Sequence, residues 1–512
     1  MGGWSLYFLA KLGLYYLGAI DFGWIENLLF AAFLLWPPRW PWLRLARRWL
    51  AWPLALWLLY EDSLLPGPTR LLDGLAALSG FSGAYLWELA ARLVNPWALL
   101  ALAAAGAAYV LLARWVPFTL VALLGILSVP VAAQYQAGGA GAAAARGGAP
   151  ATDPQSRLHA FYQDESRRKL ELPQSGATKP DFDIVVLHVC SLAWADLEAA
   201  GERNHPLFER FDVLFTRFNS AAAYSGPAVL RLLYGACGQV RHGQLYRGAP
   251  RECQIFPVLE QAGFRTAGLL NHDGAFDNFS KLLEYRGGLH GKVQVSRQAP
   301  VHMRGFDGSP VHDDYAALSG WWRQQQSQGG QPAALYYNTI SLHDGNRLSS
   351  GGGRSSLESY KPRLRKLLGD FERFIAQLEA SGRPVVLVML PEHGMALQGG
   401  GMGQFSGVRE IPEPRITLGP AALKLIGLPK ARQPGSPLVV SQPTSYFDVN
   451  SLLADLVADS PFKAQGAALQ GRLARVGNTP FVAENEGMVV MQDASGGYLM
   501  RNEQGRWKPQ AF

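Results

Sequence analysis

The feature that most constrains the fold is a continuous apolar run, Val385 to Leu390, bounded by proline, charge and glycine. Such a run is typical of a strand buried on both faces, as in a parallel sheet covered by helices. Pro391-Glu392-His393-Gly394 follows it directly. Ligands of open α/β sheets bind beyond the carboxyl ends of the strands. We therefore expect Glu392 and His393 in a binding site, although a solvated surface loop explains these two residues alone equally well.

Strand-like and helix-like segments alternate through the rest of the carboxyl-terminal region. This alternation predicts an α/β fold with a mostly parallel sheet and helices on both faces. A hairpin over 487–501, with its turn at 493–497, is expected to add edge strands to that sheet. The predicted strands lie at 184–189, 266–270, 333–340 and 385–390, and helices begin at 257 and span 360–380.

The amino-terminal part of the chain, 1–134, is dense in Leu, Ala and Trp. This composition predicts an α-helical membrane domain. The connection between the second and third spans carries Arg39, Arg44, Arg47 and Arg48, and the connection between the fourth and fifth carries Arg114, which places both connections in the cytoplasm. Five crossings then put everything after residue 134 outside. The segment 80–93 is expected along the interface or as a short buried helix. The five spans are drawn at about 5–22, 24–38, 47–60, 96–113 and 116–134.

The length and the net charge of the chain limit how it can be organised. Its 512 residues exceed what one core holds, so at least two domains are expected. The net charge of +7 is modest, and no basic stripe with interleaved aromatics points to nucleic acid. We assign 1–134 to the membrane domain, 135–180 to a flexible tether with an approach helix, and 181–512 to a catalytic domain.

Three predicted strands end at groups that bind metals. Cys190 follows the first strand, His343 follows the strand at 333–340, and Glu392-His393 follows the strand at 385–390. Zinc takes thiolate, imidazole and carboxylate ligands. A lone buried Cys is more often part of the core and a lone His more often a surface residue. Their coincidence at three strand ends favours a site.

Four motifs carry a resemblance to a known family: DFDIVVLHVCSL at 181–192, AAYSGP at 222–227, SLHDGN at 341–346 and PEHG at 391–394. The chain resembles the phosphoethanolamine transferases of the alkaline phosphatase superfamily, and within them the cellulose-modifying branch of bacterial cellulose-secretion operons. The resemblance implies an alkaline-phosphatase-like fold. It also implies zinc held by Cys190, Glu392 and His393 with Ser225 in the fourth position. Lipid A members have a carboxylate and a Thr where this chain has Cys190 and Ser225.

The resemblance implies a role for each further site residue. Ser225 would be the nucleophile, since a metal lowers the pKa of a hydroxyl, and the helix after it would bind phosphate; an ordinary helix start also explains Tyr224-Ser225. His343 is a general acid/base candidate. Tyr224 and Arg409 would contact the phosphoryl group, with Arg415 as the rival arginine. His188 and His272 are expected to be structural or to support the ligands from behind.

The chain has three cysteines, which allows one pair and one remaining thiol. With Cys190 assigned to the metal by resemblance, Cys237 and Cys253 remain as a disulfide pair in an oxidising outer compartment. The opposite assignment, with Cys190 in the disulfide, would remove the proposed ligand.

The resemblance implies an inner-membrane enzyme with a periplasmic catalytic domain. It would transfer phosphoethanolamine from phosphatidylethanolamine through Ser225 to cellulose, at the glucosyl 6-OH. The bilayer is then a partner, and subunits of a cellulose synthase complex are further candidates. The alternatives are transfer to lipid A or another glycan, a phosphatase or sulfatase, and a non-catalytic membrane scaffold of a glycan-secretion complex. Ser225-Gly-Pro-Ala-Val lacks the Arg of a sulfatase motif.

Overall fold

In the computed structural model, the chain forms two compact units. One comprises residues 1–77 and 89–153, and the other comprises residues 78–88 and 154–512. The short stretch 78–88 thus belongs to the second unit, although the chain on both sides of it belongs to the first. The described residues are 2–17, 20–63, 78–93, 96–145, 153–172, 180–328, 330–351, 353, 355–400, 405–429, 435–463, 466–510 and 512.

The first unit is helical. Five of its helices overlap the five predicted apolar spans, and its core includes Phe8, Leu12, Phe30 and Ile126. Within the described residues, no helix is at once long enough and apolar enough to cross a membrane. The helices are α1 (Trp4–Tyr16), α2 (Trp24–Leu35), α3 (Pro41–Asp62), α4 (Gly83–Leu93, which runs on from the second unit), α5 (Pro96–Leu112) and α6 (Phe118–Ala145).

Helix α6 extends into the stretch predicted as a flexible tether. The Gly/Ala-rich residues 137–145 are helical, in keeping with the high helix propensity of alanine. Residues 146–152 lie outside the described residues. Beyond them, the predicted approach helix is present as α7 (Pro154–Glu165).

The second unit is built on an eight-stranded sheet with the order β11-β2-β10-β9-β1-β7-β3-β4. The sheet is mixed, because β10 runs antiparallel to both β2 and β9, whereas the other pairings are parallel. Its strands are β1 (Asp183–Val189), β2 (Val213–Asn219), β3 (Arg265–Leu270), β4 (Val293–Val295), β7 (Ala333–Thr339), β9 (Val385–Pro391), β10 (Leu418–Ile426) and β11 (Leu438–Val440).

Helices cover both faces of this sheet, as predicted. Alternate residues of β1 face opposite cores: Ile184 and Val186 pack on one side, and Val185 and Leu187 on the other. All seven residues of β1 are buried, which explains its continuous apolar sequence. The helices are α8 (Trp194–Ala199), α9 (Ser225–Leu233), α10 (His242–Leu245), α11 (Ile255–Gln261), α12 (Phe279–Arg286), α13 (Asp314–Ser327), α14 (Ser356–Ala380), α15 (Pro414–Thr417), α16 (Tyr446–Ala458) and α17 (Leu469–Leu473).

The carboxyl-terminal hairpin forms, but the prediction that it extends the main sheet was wrong. It belongs to a separate four-stranded sheet of β12 (Val482–Glu484), β13 (Val489–Gln492), β14 (Tyr498–Arg501) and β15 (Trp507–Gln510). One face of this sheet packs on α7 through Leu158, and the other packs on Ile411. Each face thus has its own apolar contacts, and none of the four strands pairs with the main sheet within the described residues. A small third sheet contains β5 (Val301–Arg304), β6 (Pro310–His312) and β8 (Arg347–Leu348).

Candidate metal centre and nucleophile

Neighbouring strands bring the predicted ligands together. Strand β1 lies between β7 and β9, with Val189 level with Thr339 on one side and Pro391 on the other. The ladder continues past the strands, since Cys190 N donates to Thr339 O (3.1 Å) and Glu392 N donates to Val189 O (2.9 Å). Cys190 and Glu392 therefore sit side by side, although about two hundred residues separate them in the sequence.

Cys190, Glu392 and His393 form a compact cluster in which one ligand atom of each lies within 4.8 Å of the others. All three are buried. His393 Nε2 lies 3.8 Å from Cys190 Sγ and 3.9 Å from Glu392 Oε2. Ligand atoms around a tetrahedral zinc, with bond lengths of about 2.0–2.3 Å, lie roughly 3.3–3.6 Å apart. The two distances from His393 Nε2 therefore exceed that spacing by only a few tenths of an ångström.

The imidazole of His393 has the form that a metal ligand requires. Its Nδ1 lies 2.8 Å from the carbonyl oxygen of Gly394. A carbonyl oxygen only accepts, so Nδ1 carries the proton. The lone pair is then on Nε2, facing Cys190 and Ser225. Burial, and next the positive charge of Arg409, lowers the pKa of His393 well below its usual value, so the ring is neutral.

Burial acts on the two acidic ligands in the opposite sense. It raises the pKa of the Cys190 thiol to about 12, with the nearby Glu392 as the second cause. It also raises the pKa of Glu392 to about 7. The second oxygen of that carboxylate, Oε2, has no hydrogen-bond partner of good geometry among the described residues. A buried orphan carboxylate oxygen beside a thiol and an imidazole fits a zinc ion, which would favour the ionised forms of both acids.

Glu392 is held by a hydrogen-bond chain that the motifs did not reveal. Asn338 Nδ2 donates to Glu392 Oε1 (2.5 Å), and His272 Nε2 donates to Asn338 Oδ1 (3.0 Å). Gly274 N in turn donates to His272 Nδ1 at 3.2 Å, which fixes the tautomer. Asn338 is an amide within the fully buried strand β7. A buried polar side chain in such a strand needs a hydrogen-bond partner. An asparagine within a buried strand was therefore the signal in the sequence that could have pointed to this role.

His188 lies beneath the cluster. It is fully buried, and its two ring nitrogens contact the hydroxyls of Tyr336 (3.1 Å) and Tyr446 (2.9 Å). Burial lowers its pKa to about 3, so the ring is neutral. Its Nδ1 lies 3.7 Å from Glu392 Oε1, which is a contact of a neutral ring with the carboxylate and not an ion pair.

Ser225 completes the cluster from a different element. It is the first residue of α9, and its Oγ lies 3.4 Å from Cys190 Sγ and 3.2 Å from His393 Nε2. Unlike the three ligand candidates it is partly exposed. The residue before it, Tyr224, is at the N-cap, and its hydroxyl donates to Glu410 Oε1 (2.7 Å). A hydroxyl open to solvent on one side and facing the cluster on the other is suited to attack an external phosphorus atom.

Arg409, and not Arg415, lies against the cluster. Its guanidinium is buried, with Nη1 within 3.4 Å of Gly394 O and 3.2 Å from His393 Nδ1. It also lies over the Tyr224 ring, at 5.4 Å from the ring centre. Arg415 instead donates to Gln398 at an exposed position.

Asn485 of the carboxyl-terminal sheet region joins the nucleophile loop to the arginine loop. Its Oδ1 accepts from Ala223 N (3.2 Å), and its Nδ2 donates to the carbonyls of Arg409 (3.1 Å) and Glu410 (2.9 Å). Asn485 is buried. It lies in a loop with no motif around it, so the sequence carried no signal for this role.

His343 lies in the loop after β7, near enough to Arg409 and His393 to interact with both electrostatically. Its Nδ1 donates to the carbonyl of Asp344 at 2.7 Å, which leaves the lone pair on Nε2. Burial lowers its pKa to about 4, and the charge of Arg409 is the next largest cause. Burial, assisted by the charge of Arg409, thus lowers the pKa of both His343 and His393 and keeps both imidazoles neutral.

The remaining two cysteines form a disulfide, Cys237–Cys253, and Cys190 is free. The bridge closes a loop just after α9, which ends at Leu233. The rival pairing, with Cys190 in the disulfide, is wrong.

Both parts of the chain match profiles of one protein family. The sequence profile described as the N-terminal domain of cellulose biosynthesis protein BcsG matches residues 4–131, and the C-terminal domain profile matches residues 140–507. The chain belongs to the BcsG family. It is 37% identical to the cellulose biosynthesis protein BcsG of Escherichia coli K12, over 99% of this chain and 96% of that protein. The BcsG of Salmonella typhimurium LT2 is 36% identical over the same shares.

Solved structures similar to this BcsG-family chain include an alkaline phosphatase superfamily protein from Vibrio parahaemolyticus. It has 13% identity and a TM-score of 0.49, over 70% of this chain and 91% of that one. Another is the soluble domain of lipooligosaccharide phosphoethanolamine transferase A from Neisseria meningitidis, with 15% identity and a TM-score of 0.41, over 56% and 91%.

Proposed function

We propose that this BcsG-family chain is a zinc-dependent transferase that moves phosphoethanolamine from phosphatidylethanolamine to a hydroxyl of cellulose, the glucosyl 6-OH. The observation that carries the proposal is the approach of Ser225 Oγ to within 3.2 Å of His393 Nε2 and 3.4 Å of Cys190 Sγ. A serine hydroxyl beside a bound metal ion can act as a nucleophile, whereas a serine with a purely structural role does not require such a position. The family name supports cellulose as the acceptor.

Zinc bound by Cys190, Glu392 and His393 would supply positive charge that lowers the pKa of the Ser225 hydroxyl. In the first half-reaction, Ser225 Oγ attacks the phosphorus of the donor. The bond from phosphorus to the diacylglycerol oxygen breaks, and the serine proton ends on the released diacylglycerol hydroxyl. Arg409 offsets the charge of the phosphoryl oxygens.

In the second half-reaction, His343 acts as the base. Its Nε2 holds a lone pair, because Nδ1 donates to Asp344 O. It takes the proton of the acceptor hydroxyl while that oxygen attacks phosphorus, and the bond to Ser225 Oγ breaks. The proton then returns to Ser225, which restores the starting state.

The proposed setting is the bacterial inner membrane, with the catalytic unit in the periplasm. The proposal draws on the five spans placed by hydropathy and arginine distribution, and α1, α2, α3, α5 and α6 overlap them in sequence. A disulfide in the catalytic unit is in keeping with an oxidising compartment. A lipid donor also requires access to the bilayer surface. Protease digestion of spheroplasts tests this: the catalytic unit should be cut from outside, and protection would refute the orientation.

The transferase proposal is tested on the full chain in detergent micelles with a phosphatidylethanolamine donor. We expect about one bound zinc per cluster and a phosphoethanolamine adduct on Ser225 by mass spectrometry. Ser225→Ala should abolish the adduct, whereas Ser381→Ala, at the end of α14, should keep it. A chain with no zinc and no adduct would be a scaffold. An adduct that passes to lipid A and not to cellulose would refute the acceptor alone.

A further inference from the structure

Residues 78–88, called here the 78–88 segment, pack in the catalytic unit beside the His343 loop. They belong to that compact unit, although the residues before and after them belong to the first unit. Ser82 N donates to the carbonyl of Phe306 (2.9 Å), which fixes the backbone of the segment. Tyr85 and Glu88 are buried. An exposed interfacial helix would not bury a carboxylate in this way, so the segment has specific partners.

Aromatic rings connect the segment to His343. Phe81 and Tyr85 pack on Phe306, with ring centres 5.4 Å and 6.3 Å away. Phe306 in turn lies over the His343 imidazole, at 4.5 Å and with the ring planes inclined by 30°. One face of the proposed base is therefore covered by a phenyl ring that the segment supports from behind.

Two successive hydrogen bonds also connect the segment to the same imidazole. The Tyr85 hydroxyl donates to Asp344 Oδ2 (3.0 Å), and Asp344 is 3% exposed. The backbone carbonyl of Asp344 accepts the Nδ1 proton of His343 (2.7 Å). Tyr85 thus anchors the residue whose carbonyl sets both the tautomer and the orientation of His343.

Glu88 secures the far end of this loop. Its Oε1 accepts from Ser356 N (2.9 Å), and it forms an ion pair with Arg347. Ser356 Oγ lies 2.5 Å from Asp344 Oδ1 as well. Gly345 shows how close the packing is, because a Cβ there would lie 2.4 Å from Phe306 Cβ and 3.0 Å from the Tyr85 ring. Its φ of +83° also lies in the region that glycine adopts most readily.

We infer that the 78–88 segment positions the catalytic base: Tyr85 acts through Asp344, and Phe306 acts by stacking, to hold His343 in its reactive orientation. The inference rests on the proposed function for the role of His343. The catalytic site is then assembled from two distant stretches of the chain. A fragment that starts after the tether lacks one of them.

The test uses Tyr85→Phe in the full chain, which removes one hydroxyl and keeps the ring. We expect kcat of transfer to fall about 10- to 100-fold, as small misplacements of a catalytic group do. The KM for phosphatidylethanolamine and the zinc content should stay near those of the unmodified chain, whereas the thermal midpoint should fall, because a buried hydrogen bond to a carboxylate is lost. Tyr285→Phe is the matched control, since Tyr285 is 67% exposed, and it should leave kcat unchanged.

A double-mutant cycle with His343→Ala separates positioning from general destabilisation. If Tyr85 acts through His343, Tyr85→Phe should cause no further loss in the His343→Ala background. An equal fold-loss in both backgrounds, or no loss in either, would overturn the inference.

Hydrogen exchange of residues 341–346 gives a readout that does not depend on activity. Tyr85→Phe should speed exchange there, and Tyr285→Phe should not. If the unmodified chain forms no Ser225 adduct, the proposed function fails while faster exchange still supports the positioning contact. If the adduct forms and neither exchange nor kcat changes in Tyr85→Phe, only the inference fails.

Discussion

Removing the amide of Asn338 should weaken zinc binding while leaving every proposed ligand in place. Asn338 is fully buried and donates to Glu392 Oε1 at 2.5 Å. It also accepts the Nε2 proton of His272. In Asn338→Ala the carboxylate loses the group that orients it, and the imidazole loses its acceptor. Partners of this kind typically change metal affinity by about 10- to 100-fold.

The expected cost in stability follows from the same two bonds. A hydrogen bond to a charged group contributes about 1.5–3 kcal/mol, and a buried donor left without an acceptor costs about 1–3 kcal/mol. The free energy of unfolding should therefore fall by about 2.5–6 kcal/mol, to which the small cavity left by the substitution adds. The assay is competition for zinc between the full chain and a chelator of known affinity, with thermal unfolding measured in parallel.

Asn271→Ala is the matched control for this prediction. Asn271 is also fully buried, and its Nδ2 contacts Asp314, Thr339 and Ser341 but not Glu392. We expect a comparable loss of stability with unchanged zinc affinity. If both variants weaken zinc binding equally, the effect is general loosening of the unit. Unchanged zinc affinity in Asn338→Ala would refute the reasoning directly.

Three further predictions concern the rest of the catalytic unit. The disulfide closes a loop with a sequence separation of 16. Replacing Cys237 and Cys253 together by Ser should therefore cost about 3 kcal/mol, which denaturant unfolding measures. Burial lowers the pKa of His302 to about 4, so stability should be full above the ordinary pKa of histidine, about 6.5, and fall as the pH drops from there towards about 4. Thermal midpoints of His302→Gln should show a flatter pH dependence, and an equally steep one would exclude this residue as the cause. Asn485→Ala removes the tie between the Arg409 loop and the nucleophile loop. It should lower the rate of adduct formation by about tenfold or more at unchanged zinc content; an unchanged single-turnover rate would contradict this.

The sheet and its ligand-bearing ends were predictable for a simple reason. Strands buried on both faces leave continuous apolar runs, and the residue after each run is easy to find in the sequence. The order of β9, β1 and β7 in the sheet was not predictable in this way. Any order in which β1 and β9 are neighbours, however, brings Cys190 and Glu392 together. The residue types at the strand ends therefore pointed to a metal before the pairing was known.

The sequence did not reveal contacts between distant segments that carry no recognisable motif. Asn485 and Tyr85 each act through one side chain on a partner far away in the chain. The hairpin over 487–501 was recognised by its turn, but its placement was wrong, because alternation of apolar residues does not say which surface a sheet packs on. Such placements depend on the shape of the rest of the unit.

The place of the 78–88 segment in the chain also sets an order of events during synthesis. Tyr85 is made 259 residues before its partner Asp344. At about 5–20 residues per second, the segment waits roughly 13–52 s for the surface it will cover. Phe81 and Tyr85 lack their folded-state partner Phe306 during most of that interval, and the loop that carries His343 is completed only when an early-made segment docks onto a late-made one. Folding of the enzyme thus includes a docking step between parts of the chain that are made at different times.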